Sequence, residues 1–256
     1  MINGKAIYTP KGAAGEYTKY ACNFYVGCSN GCTYCFNKRF GWGSVPTLKK
    51  CFKGSPEYAL QCFEKQLEAN MPELRKHGVF FSFTTDPMLP ETINRTLWAI
   101  EGCCLKDVPV KLLTKRVEFV DKIGEVNGRI VSFSDKFHLF KHNIAVGFTL
   151  TGHDDLEPNA STNAERIKAM KKLHKAGFKT WASIEPIIDF GSSLKMIDKV
   201  IFHCDLFKIG LESGKKYEPA IIQEFVSKVL FLMRLEQPNT KIYFKDSLLQ
   251  QAGIRR

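Results

Sequence analysis

Cysteine is the residue type here whose spacing most directly suggests chemistry. Cysteines stand at positions 22, 28, 32, 35, 51, 62, 103, 104 and 204, and Cys28, Cys32 and Cys35 fall close together. The count is odd, and Met1 to Gly15 lacks the charged-then-apolar pattern of a signal peptide, so a disulfide framework is not expected. Metal or redox chemistry comes forward instead. The segment Gly27-Cys28-Ser29-Asn30-Gly31-Cys32-Thr33-Tyr34-Cys35-Phe36 has Cys-x3-Cys-x2-Cys spacing. Three thiolates on a short loop can hold three irons of a cubane [4Fe-4S] cluster and leave the fourth iron open, whereas structural zinc closes its shell with four protein ligands. A zinc alternative would borrow a fourth ligand from Cys22 or a distant histidine. Cys62 and Cys104 lie on or beside apolar helix stripes and read as core residues. Only Cys204 lies beyond residue 104, which argues against a second cluster.

Polar groups at the ends of apolar runs form the second set of candidates. Thr84-Thr85-Asp86-Pro87 follows one such run, Thr149 ends another, and Glu185 precedes a proline at the end of a third. Asp86 can equally be read as a turn or cap acid, and Glu185 as half of a loop ion pair. Lys115 and Arg116 follow a further run, and Lys38 and Arg39 follow the cysteine loop. These four are expected to gather at a mouth where a phosphate-bearing ligand would be attracted, against the alternative of a solvated surface. The six histidines show no metal-ligand spacing.

The elements that must position these groups alternate between short β-branched or aromatic runs and longer helical stripes, the pattern of repeated βα units and a parallel sheet. Six strands are expected: Lys19 to Gly27, Gly78 to Thr85, Pro109 to Thr114, Ile144 to Thr151, Lys179 to Ile188 and Leu206 to Glu212. A first helix begins after Ser55-Pro56 with a stripe at Leu60, Phe63 and Leu67; a second begins at Pro90 and carries Ile93, Leu97, Ile100 and Cys104. The helix after Thr162 has a capping box with Glu165 and a stop at Gly177. Ser132 to Asn143 matches no regular element and reads as a loop that could face a substrate. After Pro219 a helix and a short strand around Ile242 to Phe244 should close the barrel's side or cover its bottom.

The cysteine loop resembles that of the radical S-adenosylmethionine (SAM) enzymes, whose motif places an aromatic residue, here Tyr34, near the adenine of SAM. The resemblance implies an α/β fold, a partial (βα)6 barrel of TIM type with a C-terminal helix-strand extension and chemistry at the carboxyl ends of the strands. It also implies a [4Fe-4S] cluster on Cys28, Cys32 and Cys35 that cleaves SAM reductively to a 5′-deoxyadenosyl radical, fed by an external electron donor of flavodoxin or ferredoxin type. Tyr34, Thr84, Thr85, Asp86, Thr149 and Glu185 are the implied SAM contacts. Thr84-Thr85-Asp86-Pro87 stands where many members carry Gly-Gly-Glu, and resembles the spore photoproduct lyase (DNA photolyase-like) branch and a related phage-encoded group. Thr149 to Thr151, Glu157-Pro158-Asn159, Arg166-Ile167 and Lys175-Ala176-Gly177-Phe178 are similar to the lyase's fourth βα unit. Ser183 to Ile188, Glu212-Ser213-Gly214 and Phe244-Lys245 are closer to the phage group. Two departures stand out. Matching the lyase's SAM-contacting serine to Thr85 puts Phe83 where the lyase has its cysteine hydrogen donor, and Phe36 replaces the tyrosine after its loop. Thymine-dimer repair by that route is therefore not expected.

The chain has 256 residues, 44% apolar and 25% charged, a globular usage that excludes a fibrous or disordered protein. It is read as one domain, with a barrel core over about 19–215 and an extension over about 216–256. With no long apolar run, a soluble, cytoplasmic protein that does not engage a membrane is expected. Lys plus Arg exceeds Asp plus Glu, 37 to 26, giving a net charge of +11, which favours a nucleic-acid-derived or other anionic substrate. The alternatives are a radical SAM enzyme acting on a peptide or small metabolite, and a non-enzymatic zinc-binding nucleic-acid module.

Overall fold

Short apolar runs build an eight-stranded sheet from β1 (Ile7–Tyr8), β2 (Ala21–Cys22), β3 (Val79–Phe81), β4 (Val110–Thr114), β5 (Ile144–Thr149), β6 (Lys179–Ile187), β7 (Leu206–Leu211) and β8 (Lys241–Phe244). The computed structural model describes residues 1–237 and 239–255; Arg256 of the terminal basic pair lies outside the described residues. The strands lie side by side in chain order. Only β1 against β2 is antiparallel; every later neighbour is parallel. Parallel pairing demands a crossover each time, and helices supply most of them: α1 (Pro56–Ala69), α2 (Ile93–Cys104), α3 (Asn163–Lys175), α4 (Phe190–Val200) and α5 (Pro219–Glu236). Among the described residues no helix is long and apolar enough to cross a membrane.

The six expected strands correspond to β2 through β7, and the late strand, β8, extends the sheet's side in parallel register with β7. Three boundaries differ most. The expected strand Gly78 to Thr85 keeps only Val79–Phe81 in the sheet, so Thr84 and Thr85 stand in the bend beyond its end. The first strand leaves the sheet at Asn23, whose side-chain amide donates to the Tyr8 hydroxyl at 2.6 Å and accepts from the Phe83 amide at 2.9 Å. Tyr25–Val26 then pairs separately with Thr47–Leu48. α2 begins at Ile93 rather than Pro90, because residues 87–92 form a turn tied by the Thr92 hydroxyl to the Asp86 carbonyl at 2.9 Å.

Ser132 to Asn143 is not a substrate-facing loop. Ser132 and Asp135 form a capping box on a short helix, Phe133–Phe137, followed by a 3-10 turn. Phe133 and Phe137 are buried in the main core. The segment feeds the amino end of β5, the opposite end of the strands from the candidate site.

Two-residue periodicity sorts the strand side chains. Ala182 and Ile184 of β6 and Val146 and Phe148 of β5 join the large core shared with the helices. Trp181, with Phe80 of β3 and Ala21 of β2, forms a smaller inner cluster against Tyr17, Phe83 and Leu113. Gly147 makes room for this cluster: a Cβ there would fall 2.1 Å from the Trp181 ring. Between β1 and β2 the chain crosses the open edge of the sheet to β8. The Asp246 amide donates to Glu16 Oε1 at 2.7 Å, and Lys208 Nζ donates to the Glu16 and Tyr17 carbonyls at 2.5 and 3.0 Å.

Candidate active site at the carboxyl ends of the strands

The inward positions at the strand ends open into a cavity of about 610 Å³. Cys28, Cys32, Tyr34, Cys35, Thr84, Thr85, Asp86, Thr149 and Glu185 all line it, so every sequence-derived candidate for cluster or SAM binding lies in one place. Of the four basic residues expected at the mouth, Lys115 and Arg39 line the cavity. Lys38 and Arg116 are not among its lining residues: Lys38 turns back to the Thr33 carbonyl, and Arg116 is held by Glu118 and the Asn159 carbonyl.

The cysteine loop lies beyond the first strand and folds back on Asn30 and Asn37. Asp86 anchors it. Its Oδ2 accepts from Asn30 Nδ2 at 2.8 Å and the Lys115 amide at 2.7 Å; its Oδ1 accepts from the Thr114 hydroxyl at 2.6 Å and the Met88 amide at 3.0 Å. A carboxylate offers about four acceptor positions, and these four donors fill them. These bonds make Asp86 a clamp joining the loop to the ends of β3 and β4. Thr84 is also engaged, its hydroxyl donating to the Tyr25 carbonyl and its own carbonyl accepting from Asn37 Nδ2 at 3.1 Å.

Tyr34 donates its hydroxyl to Glu157, and Lys115 Nζ sits 5.5 Å from the centre of its ring. Glu157 and Arg166, both without exposed side chain, form a buried ion pair, and Arg166 also donates to the Thr149 carbonyl at 2.6 Å. Lys115 approaches Glu157 at 3.9 Å. Across the cavity, Glu185 accepts from the Tyr17 hydroxyl at 2.5 Å and from Lys245 Nζ at 2.8 Å, and the same tyrosine hydroxyl lies 2.7 Å from Ser183 Oγ. Glu185 is therefore an ion-paired acid that lines the cavity. Gly210 is needed under this pair, since a Cβ would fall 2.8 Å from the Lys245 side chain.

Sequence reasoning missed Tyr17, Asn30, Asn37 and the pairing role of Lys245. Tyr17 belongs to a segment without periodicity, and Lys245 is distant in sequence from Glu185, so only the folded sheet brings them together.

The residues present fit an iron-sulfur cluster in the chemistry of their donors. The three loop cysteines are free thiols facing one cavity. Burial, and then the nearby Asp86 carboxylate, pushes the Cys28 thiol up to about 12, and burial raises Cys32, so a bound metal must replace their protons. Asn30 Oδ1, Asn37 Oδ1 and Thr85 Oγ1 are buried without a hydrogen-bond partner among the described residues, and all three residues line the cavity. Among the described residues no three His, Cys, Asp or Glu groups gather tightly enough for one metal ion; a single ion would need that, whereas a cubane takes each thiolate on a different iron. Cys22, offered as a fourth zinc ligand, is instead buried in the main core, and no described histidine lines the cavity.

No family model matches the chain. An uncharacterized protein of Methanocaldococcus jannaschii is 29% identical over 193 residues, 66% of this chain and 61% of that protein. Spore photoproduct lyase, solved with bound AdoMet and dinucleoside spore photoproduct, superposes with a TM-score of 0.64 at 14% identity, over 90% of this chain and 77% of the lyase. Streptococcus suis SuiB bound to S-adenosylmethionine gives 0.58 at 15% identity, over 90% of this chain and 51% of SuiB. The chain thus spans less than two thirds of the M. jannaschii protein and about half of SuiB. At these identities the likeness is one of fold, and the fold is the mixed α/β, mostly parallel architecture of spore photoproduct lyase and SuiB, in keeping with the relationship suggested by the cysteine loop.

Proposed function

We propose that this chain is a radical SAM enzyme, with Cys28, Cys32 and Cys35 holding a [4Fe-4S] cluster and SAM lying across the strand ends. One observation carries the reading: the three free loop thiols line one cavity at the strand ends together with Tyr34, Thr85, Thr149 and Glu185. The cluster and SAM, when bound, supply a 5′-deoxyadenosyl radical generated by reductive cleavage, with electrons from an external donor. The protein's own residues do the rest. Thr85 lines the cavity beside SAM, Tyr34 offers a ring fixed by Glu157, and Thr149 a position locked by Arg166. Asp86 acts as a positioning residue, holding the loop in place. Phe83, Leu113 and Leu211 line the cavity with apolar surface that excludes water, and Phe80 and Trp181 back Phe83 and Leu113 from within the inner cluster. Lys115 and Arg39 give it a cationic side suited to an anionic substrate. Spore photoproduct lyase holds a dinucleoside photoproduct and SuiB has been solved with the precursor peptide SuiA, so a peptide substrate is the alternative.

Anaerobic reconstitution tests this reading. The expected result is about four irons and matching sulfide per chain, loss of both in the Cys28→Ala/Cys32→Ala/Cys35→Ala protein, and dithionite-dependent formation of 5′-deoxyadenosine. A wild-type protein that takes up zinc alone would return the chain to the zinc-module reading.

A further inference from the structure

Immediately after the last loop cysteine, a 3-10 turn over Phe36–Phe40 projects aromatic rings at the cavity's edge. Phe40 stacks on Trp42 with ring centres 4.9 Å apart and planes 23° from parallel, and Phe36 meets Phe40 edge-on at 6.2 Å. Phe36 and Phe40 are 42% and 63% exposed, although large apolar side chains at such a place gain nothing by facing water. No other described segment combines this with what flanks it. Arg39, on the same turn, is held at the cavity by the Ser213 carbonyl at 2.9 Å. Asn37, buried on the same turn, ties that turn to the end of β3 by donating its amide nitrogen to the Thr84 carbonyl at 3.1 Å.

We propose that Phe36, Phe40 and Trp42 form a stacking platform for a flat heteroaromatic ring carrying an anionic group, the chemistry of a nucleotide. The rings offer a π-face to the base, and the Arg39 guanidinium meets the phosphate. The platform lies on the cysteine loop's continuation, so a ligand stacked there borders the same cavity as the three thiols. The proposal rests on the cavity being the reaction site, but its test does not depend on SAM chemistry. A nucleotide could arrive free or as one unit of a strand, and the arms below separate the two.

The experiment uses the reconstituted protein and follows Trp42 fluorescence and ligand anisotropy with three probes: nucleoside monophosphates, a short single-stranded oligonucleotide, and an abasic oligonucleotide of equal charge. Base-bearing probes should quench Trp42 and bind at least about tenfold more tightly than the abasic one, because stacking supplies that much per base. Quenching by monophosphates alone would identify a free nucleotide; tighter binding of the oligonucleotide would identify a strand. Phe40→Leu, which keeps apolar bulk at an exposed site, should lose about the same factor, and Phe40→Tyr should retain it. Equal affinity for base-bearing and abasic probes, or no change in Phe40→Leu, would overturn the platform. So would intact nucleotide binding with loss of reduction by a small electron-transfer protein in Phe40→Leu, which would reassign the rings to a protein partner. If SAM cleavage failed while base-dependent binding held, the radical SAM reading would fall and the platform would stand.

Discussion

Asp86 shows how a residue's type can be legible while its use is not. The sequence offers an acid beside two threonines at a strand end, read either as a SAM contact or as a turn or cap acid. Folding surrounds the carboxylate with Asn30, Met88, Thr114 and Lys115, so its negative charge is consumed in holding three chain segments together. Removing it leaves those buried donors unsatisfied, each a loss comparable to a hydrogen bond to a charged group. Asp86→Ala should therefore destabilise the protein by at least about 3 kcal/mol in the absence of SAM, read as a lower denaturation midpoint with an unchanged slope. It should also lower the iron retained on reconstitution. An unchanged midpoint together with weakened SAM binding would restore Asp86 to the role of direct ligand. The cysteines were legible for the opposite reason: three thiols in so short a loop have little structural use, so their spacing alone suggested a metal.

At the scale of elements, α3 carries its instructions locally. Thr162 and Glu165 form the expected capping box, Thr162 Oγ1 accepting from the Glu165 amide and Glu165 Oε2 accepting from the Thr162 amide at 2.7 Å. The Thr162 amide and hydroxyl hold the Glu165 carboxyl below its usual range. A carboxylate depressed in the folded state stabilises above its unfolded pKa, and that contribution is lost as pH falls through the folded value. The stability difference between wild type and Glu165→Gln should thus be full at neutral pH and vanish in acid; a difference constant down to pH ~2 would show that the cap does not work through the ionised carboxylate. What could not be read locally is that α3 also buries Arg166, whose partners Glu157 and Thr149 precede it in the loop and strand. Helical periodicity marks an apolar face but carries no signal for a buried cation. For the same reason the strands were legible as apolar runs, while the departure of the chain at Asn23, decided by a side-chain amide competing with the ladder, was not.

At the scale of the molecule, an open sheet of eight strands has two edges, and exposed edges invite unwanted pairing. Here the segment between β1 and β2 crosses the gap and fastens to the far edge through Glu16, whose Oε1 accepts from the Asp246 amide at 2.7 Å and lies 3.3 Å from the Tyr243 hydroxyl. Lys245, 3.7 Å from Glu16, in turn holds Glu185 inside the cavity. The seam and the site therefore share a charge network, and loosening one should loosen the other. In Glu16→Ala, the loss of charge-assisted bonds worth about 1.5–3 kcal/mol should speed hydrogen exchange of the β8 amides about tenfold or more. The amides of β4 and β5, central and paired on both sides, should keep their protection. Exchange that rose equally in all strands would mean that Glu16 supports global stability rather than the seam. Unchanged exchange in β8 would mean that the β7 ladder alone holds that edge, leaving the placement of Lys245 and Glu185 independent of the crossing segment.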